Sequence, residues 1–140
     1  MSVKQISVFL ENKKGKLAEA TRLIANHNIN MKALSIADTQ DFGILRIICE
    51  KPEDVQEVLQ EAGYITTATD VLATVIPDEP GSFANIMEVL TEANIAVEYT
   101  YAFLSTKGGA YLILRVDDNM SASAALAGAG VKTVNQEELF

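Results

Sequence analysis

A chain of 140 residues has room for one domain or two very small ones, and a hydrophobic share of 49% separates it from disordered chains. Its 19 acidic residues outweigh 11 basic ones, for a net charge of −8 with no basic run. That balance argues against nucleic acid and anionic membrane as partners, because both recruit clustered Lys and Arg. Aromatic residues make up 6% and Trp is absent, so the core must be aliphatic. The one cysteine, Cys49, excludes an internal disulfide. No signal-type apolar region opens the chain, and no apolar run of about 20 residues occurs, so the expectation is a cytoplasmic protein.

Ile6, Val8 and Leu10 alternate with Gln5, Ser7 and Phe9, which predicts a strand. A loop, Glu11-Asn12-Lys13-Lys14-Gly15, leads into Leu17, Ala20, Thr21 and Ile24, spaced as one face of a helix that stops near His27-Asn28. Two strands follow, roughly from Ile29 to Ala37 and from Phe42 to Glu50, around a turn at Asp38-Thr39-Gln40-Asp41. Pro52 fits a first helical position, with Glu53 and Asp54 placing acid in the first turn. Val55, Val58, Leu59 and Ala62 form the apolar stripe, Gly63 ends the helix, and Tyr64 to Thr67 reads as a short closing strand.

The order then restarts. Leu72 and Ile76 share a strand face, Asp78-Glu79-Pro80-Gly81 is the loop, and Phe83, Ile86, Met87 and Leu90 are the helical face. Gly15 and Gly81 lie 66 positions apart, and at that offset Leu17 meets Phe83, Ile24 meets Leu90, and Asn28-Ile29 meets Asn94-Ile95. Ile44-Leu45-Arg46-Ile47 recurs as Ile113-Leu114-Arg115-Val116 at an offset of 69, so the second hairpin carries three more residues, around Lys107-Gly108-Gly109. Leu59 and Gly63 meet Leu126 and Gly130 at 67. Ordered matches at nearly constant spacing indicate an internal duplication, with units at residues 1–69 and 70–140. The junction Ala68-Thr69-Asp70 has none of the Pro, Gly or Ser of a flexible linker, so the halves are expected to be joined rigidly and packed together. Each unit reads β-α-β-β-α-β, the order of the ferredoxin-like α+β fold, with antiparallel sheets and both helices on one face. That arrangement leaves the other sheet face and an edge to be covered; the two units can pair edge to edge or face to face, and a homodimer, the expected assembly, can extend this.

Groups for catalysis are scarce. The single histidine, His27, sits where a helix should end and reads as a cap or a solvated side chain. Cys49 reads as a small buried side chain. No metal-ligand spacing, Gly-x-Ser-x-Gly elbow or P-loop occurs, so no metal, cofactor or enzymatic activity is expected. The acidic pairs Asp78/Glu79 and Asp117/Asp118 read as helix N-caps. Arg46 and Arg115 either pair with a carboxylate or lie solvated on the open sheet face. The loop Asp78-Glu79-Pro80-Gly81-Ser82-Phe83 ends a strand and opens a helix, so backbone N–H groups there can meet an anion; an ordinary Pro-Gly turn is the alternative.

Strand, Asp-x-Pro-Gly-x-hydrophobic, amphipathic helix, then Asn-Ile before the next strand is a pattern that resembles the ACT domain, a small ligand-binding regulatory unit that commonly binds amino acids. The resemblance spans nearly the whole chain twice and is similar to stand-alone tandem ACT proteins of bacteria. The second copy carries Asp78, Pro80, Gly81 and Phe83, then Asn94-Ile95. The first departs, with Lys14 in place of Pro and Asn12 in place of Asp, and keeps Gly15, Leu17, Asn28, Ile29 and Asn30. The resemblance implies a ligand, an amino acid, held between paired ACT units by Asp78, Pro80, Gly81, Ser82, Phe83 and Asn94. Asn12, Gly15, Leu17, Asn28 and Asn30 form the weaker set. It further implies an allosteric effect on a metabolic enzyme in trans. Rival readings are a ligand-free dimerisation module, an acylphosphatase-type enzyme and an RNA-binding sheet. The enzyme would need an Arg that neither loop has, and RNA binding by Tyr99, Tyr101 and Phe103 is opposed by the charge of −8.

Overall fold

In the computed structural model, residues 2–39, 41–105 and 108–140 are described. Met1, the turn residue Gln40, and Thr106 and Lys107 in the longer hairpin lie outside the described residues. The chain forms two compact units, one built on Lys4–Thr69 and the other on Asp70–Leu139.

In the first unit, the alternating segment becomes β1 (Val3–Glu11), followed by helix α1 (Lys16–Asn26). A hairpin of β2 (Met31–Asp38) and β3 (Phe42–Cys49) leads to helix α2 (Pro52–Glu61) and the start of β4 (Ile65–Ile76). β3 lies between β1 and β2, antiparallel to both, with Ile47 opposite Ile6 on one side and Leu34 on the other. Ile6, Val8, Leu45 and Ile47 point to the face where Ile24 of α1 and Leu59 of α2 meet them, so both helices cover one side. Each of these side chains is at most 1% exposed, and full burial of such a side chain is worth roughly 1.5–3 kcal/mol.

The second unit repeats this plan with the end of β4, helix α3 (Ser82–Glu92), strands β5 (Val97–Leu104) and β6 (Ala110–Val116), helix α4 (Asn119–Gly128) and the two-residue strand β7 (Thr133–Val134). β6 pairs with β5 and β4, and β4 also pairs with β7, all antiparallel. Leu72, Leu90, Leu114 and Leu126 occupy the positions of Ile6, Ile24, Ile47 and Leu59 in this core. The strand register thus corrects the tetrapeptide match: Leu114 lies opposite Leu72 as Ile47 lies opposite Ile6, so the offset is 67 and not 69, and the second hairpin is one residue longer and not three. A short 3₁₀ turn, Glu137–Leu139, follows. Both units are thus ferredoxin-like, and the chain is α+β.

Three further details differ from the sequence reading. The expected closing strand and the next opening strand are one continuous strand, β4, because nothing at Ala68-Thr69-Asp70 breaks an extended backbone. The alternation in β1 does not separate a buried from a solvated face, since Gln5 is 0% and Ser7 7% exposed. A buried amide needs a partner, and Gln5 Nε2 donates to Ser7 Oγ at 3.3 Å. In α1 the apolar stripe is half used: Ala20 and Ile24 are buried while Leu17 stays 40% exposed.

Candidate functional site

The loop before the first helix of each unit closes in the same way. Gly15 (φ 89°, ψ −10°) and Gly81 (φ 89°, ψ −8°) both hold left-handed backbone at the N-cap. Only a residue without Cβ adopts that conformation cheaply. The Gly15 carbonyl accepts from the Glu19 N–H at 2.9 Å, and the Gly81 carbonyl accepts from Asn85 N–H at the same distance. In neither helix does a side chain cap the first turn. Asp78 and Glu79 therefore do not act as N-caps, because the glycine takes that position. Of the two acidic pairs, only Asp117/Asp118 contains a cap: Asp118 accepts from the backbone N–H of Ser121 at 3.1 Å. That bond and a second one from the Ser121 hydroxyl hold its carboxyl below the usual range.

Asp78, Pro80, Gly81 and Phe83 lie exposed around the second turn, and Asn12, Gly15 and Leu17 around the first. Phe83 and Leu17 are equivalent, 45% and 40% exposed, and present an apolar side chain beside each glycine. Ser82 differs: it is 8% exposed, and its Oγ has no hydrogen-bond partner among the described residues. Asn28 and Asn94 are not brought to these turns. They end α1 and α3 with φ of 57° and 58°, and each donates its N–H back to the helix, to Ala25 O and Thr91 O. An 11-residue helix separates each from its glycine, about 16 Å at 1.5 Å per residue. Asn tolerates left-handed backbone better than most residues, which accounts for it at both positions without a ligand. Asn30 is at that far end as well, its carbonyl accepting from Glu50 N–H at 3.4 Å.

Beside each glycine turn, a cleft opens between the helix start and the loop leading to the last strand of the unit. In the second unit it is about 470 Å³, bounded by Ile76, Glu79, Ser82, Asn85 and Val131 among others. In the first it is about 450 Å³, with walls from Phe9, Leu10 and Phe42 and polar groups from Glu11, Lys16, Glu19 and Tyr64. Clefts of this size and mostly apolar lining suit small molecules. Of the residues expected from sequence, only Ser82 lines either cleft. Lys16/Glu19 and Ser82/Asn85 were missed, although their i, i+3 spacing at a helix start signals that they share a face.

Tyr64 donates its hydroxyl to Glu19 Oε1 at 2.6 Å. Burial first, and then that bond, push the phenol up to about 12. Lys16 Nζ stands 3.8 Å from Glu19 Oε2, an ion pair too long for a hydrogen bond. Arg115 is part exposed and pairs with a carboxylate of its own unit: its Nε donates to Glu98 Oε2 at 3.0 Å. His27 Nδ1 lies 2.9 Å from Leu23 O at the end of α1, a capping position. Cys49 is fully buried, and desolvation pushes its thiol up to about 11, which makes it a poor nucleophile. Phe103, of the alternating aromatics, packs against Tyr111 with ring centres 5.2 Å apart. Among the described residues no group of three His, Cys, Asp or Glu is placed to hold a metal ion, and no helix is long and apolar enough to cross a membrane.

Comparison with known proteins gives the same architecture. A family model described as the ACT domain pair matches residues 1–140. The crystal structure of protein BT0572 from Bacteroides thetaiotaomicron is 34% identical, with a TM-score of 0.92, covering 99% of this chain and 96% of that one. The regulatory subunit of aspartate kinase from Thermus thermophilus, in its ligand-free form, shares the fold at 13% identity and a TM-score of 0.67, over 91% of this chain and 90% of that one. The corresponding subunit from Thermus flavus is 13% identical with a TM-score of 0.64, over 90% of this chain and 91% of that one. No curated protein sequence matches the chain.

Proposed function

Because the chain belongs to the ACT domain pair family, we propose that it is a non-catalytic regulatory protein that binds an amino acid and acts allosterically on a metabolic enzyme in trans. The observation that carries this reading is the matched pair of helix-opening glycine turns, Gly15 and Gly81, each uncapped by a side chain and each beside a ligand-sized cleft. Backbone N–H groups at such a turn suit a carboxylate. The aspartate kinase subunits that share the fold are regulatory by description, which supports a regulatory use of the pair here. In the proposed assembly the chain is a homodimer without cofactor. Asp78, Pro80, Gly81, Ser82 and Phe83 form the principal ligand loop, and Asn12, Gly15 and Leu17 the lesser one. Asn28, Asn30 and Asn94 would take part only from another unit, given their distance along the helix.

A ligand that binds the folded state alone stabilises it by about 2.7 kcal/mol at 100 times its Kd. A thermal-shift screen against the twenty amino acids at millimolar concentration therefore tests the reading directly, with light scattering for the oligomeric state. A selective rise in Tm that is lost in Gly81→Ala, with the fold intact, is the expected result. A flat response across the panel would refute it.

A further inference from the structure

The duplication supplies an internal control for helix α4, because α2 holds the same place in the other unit. The positions that face the core agree in kind: Val55 and Leu59 in α2, Ala122 and Leu126 in α4, all fully buried. The outward positions do not. Glu53, Glu57, Gln60 and Glu61 of α2 are exposed, and their counterparts in α4 are Met120, Ala124, Ala127 and Gly128, exposed as well. Of the four α-helices, α4 alone has no charged residue, in a chain with a net charge of −8. Helix propensity does not account for the change, since Ser123 and Gly128 are weaker helix formers than their counterparts Gln56 and Glu61. A helix without a charged face is ordinarily covered on every side, and here one side stands open. Met120 is 85% exposed, and with Ser123, Ala124 and Ala127 it borders a groove of about 620 Å³. Among the described residues that line this groove, Asp70 is the one that carries a charge.

We infer that the outer face of α4 is a self-association surface, which takes α4 of a second copy of this chain in an antiparallel, two-fold contact. Two features select a second copy. The first is charge. Chains of net charge −8 repel one another, and the repulsion is least where neither presents a carboxylate, which is the face of α4. The second is a self-complementary pattern. A two-fold axis between Ser123 and Ala124 sets Met120 against Ala127 of the copy, and Ser123 against its Ala124, so the one large side chain always meets a small one. Small residues at the centre let the helix axes approach to about 8 Å. Asp70 sits at one end of α4, where its carbonyl accepts from Asn119 Nδ2 at 3.1 Å. The antiparallel arrangement therefore keeps the two Asp70 residues a helix length apart, about 15 Å, beyond the screening length of about 8 Å at physiological salt. One ten-residue helix from each copy makes an interface of the weak class, under about 1,200 Å², so the association is reversible and depends on concentration. This gives the dimer proposed above a surface, and it stands or falls separately from ligand binding.

The test uses the full chain without ligand. Sedimentation velocity from about 10 μM to about 1 mM is expected to show a monomer–dimer equilibrium. Over the same range, amide shifts of ¹⁵N-labelled protein should move chiefly between Met120 and Gly128. Met120→Glu and Ala124→Glu give α4 the charges that Glu53 and Glu57 carry in α2, and each should weaken dimerisation at least tenfold. Thr67→Glu adds the same charge at an exposed position of β4 and should leave the equilibrium unchanged. Thermal melts confirm that the variants fold. A monomer throughout the range would overturn the inference. So would a dimer that Met120→Glu and Ala124→Glu leave intact, or shifts centred on the sheet edges β2 or β5; either would place the dimer on another surface and leave the regulatory reading standing. A monomer–dimer equilibrium that behaves as expected, in a protein with no thermal response to any of the twenty amino acids, would support the α4 surface and sink the regulatory reading.

Discussion

Replacing Gly81 by Ala should cost little stability, and the size of that cost decides whether the variant can report on ligand binding. A Cβ built on Gly81 meets nothing within 4 Å, so the only penalty is left-handed backbone at φ 89°. For an L-residue that is roughly 1–2 kcal/mol, partly offset by about 0.4–1 kcal/mol from a less flexible unfolded chain. The net loss is about 1 kcal/mol, or roughly 4 °C in Tm for a chain of this size. Gly109 is the contrast. Its φ is 75°, and a Cβ there would stand 2.5 Å from the carbonyl oxygen of Ile76, a backbone atom that cannot swing aside. Overpacking of this kind adds about 1–3 kcal/mol to the backbone penalty. Gly109→Ala should therefore lower Tm two to three times as far, by roughly 10 °C on the same scale. Melts followed by circular dichroism, with amide spectra to confirm native structure, measure both. If Gly81→Ala proves as damaging as Gly109→Ala, then the open space around the turn is wrong and the loss of ligand response in that variant has no meaning for binding.

Other outcomes follow from the same structure. Leu59→Ala and Leu126→Ala remove equivalent, fully buried side chains from the two cores and should each cost about 2–5 kcal/mol in denaturant unfolding; a loss under 1 kcal/mol at either would show that the site is not packed as described. Tyr64 has its phenol raised to about 12, so its contribution is complete below the unfolded value near 10 and disappears as pH climbs from about 10 to 12. Ultraviolet titration should show a tyrosine component ionising at about 12, and Tyr64→Phe should remove that component. Cys49, with its thiol at about 11, should react with a disulfide reagent at pH 8 only as fast as the native state opens; stoichiometric labelling within the mixing time would refute its burial. Asp118 has a lowered carboxyl, so its cap on α4 is intact above the unfolded value near 3.9 and weakens as pH falls through the folded one. Asp118→Asn should flatten the acid limb of the stability profile, and an unchanged limb would count against the cap.

The fold was legible because it is written twice. Any one match, such as Ile24 with Leu90, is weak, but the pair occupies the same core position in both units, and so do Leu59 and Leu126. Helix ends were legible for the same reason, since Gly63 and Gly130 both hold positive φ after their helices. What alternation cannot reveal is burial on both faces. Gln5 and Ser7 look like a solvated edge of β1 and are inside. Amphipathic stripes likewise overstate their buried part, as Leu17 and Phe83 show: each belongs to the helical face by spacing, yet each sits in the first turn, beyond the edge of the core. The glycine turns were legible in the sequence, and the clefts beside them were not. Asn28 and Asn94 recur in the sequence, and in the structure both hold left-handed backbone at a helix end. Lys16, Glu19 and Tyr64 went unnoticed because their meeting depends on tertiary structure: Glu19 and Tyr64 are 45 positions apart.

That contrast bears on how a duplicated regulator can diverge. Features that repeat between the units are backbone devices: left-handed glycine at the start of the first helix, left-handed asparagine at its end, glycine after the second. Each fixes where the chain turns, so a change costs stability in its own unit whatever the ligand. Features that differ are side chains around the clefts, where Lys16 faces one opening and Ser82 its counterpart. These positions carry no backbone constraint, so they can change without disturbing the scaffold. Ser82 is the instructive case, because its hydroxyl is buried and unpartnered among the described residues. An unsatisfied buried hydroxyl costs about 1–3 kcal/mol, which Ser82→Ala would recover if packing alone governed the position. A rise in Tm for Ser82→Ala with ligand response intact would mark the residue as a relic of the shared ancestor of the two units. A rise accompanied by loss of response would mean that stability is being given up there for binding.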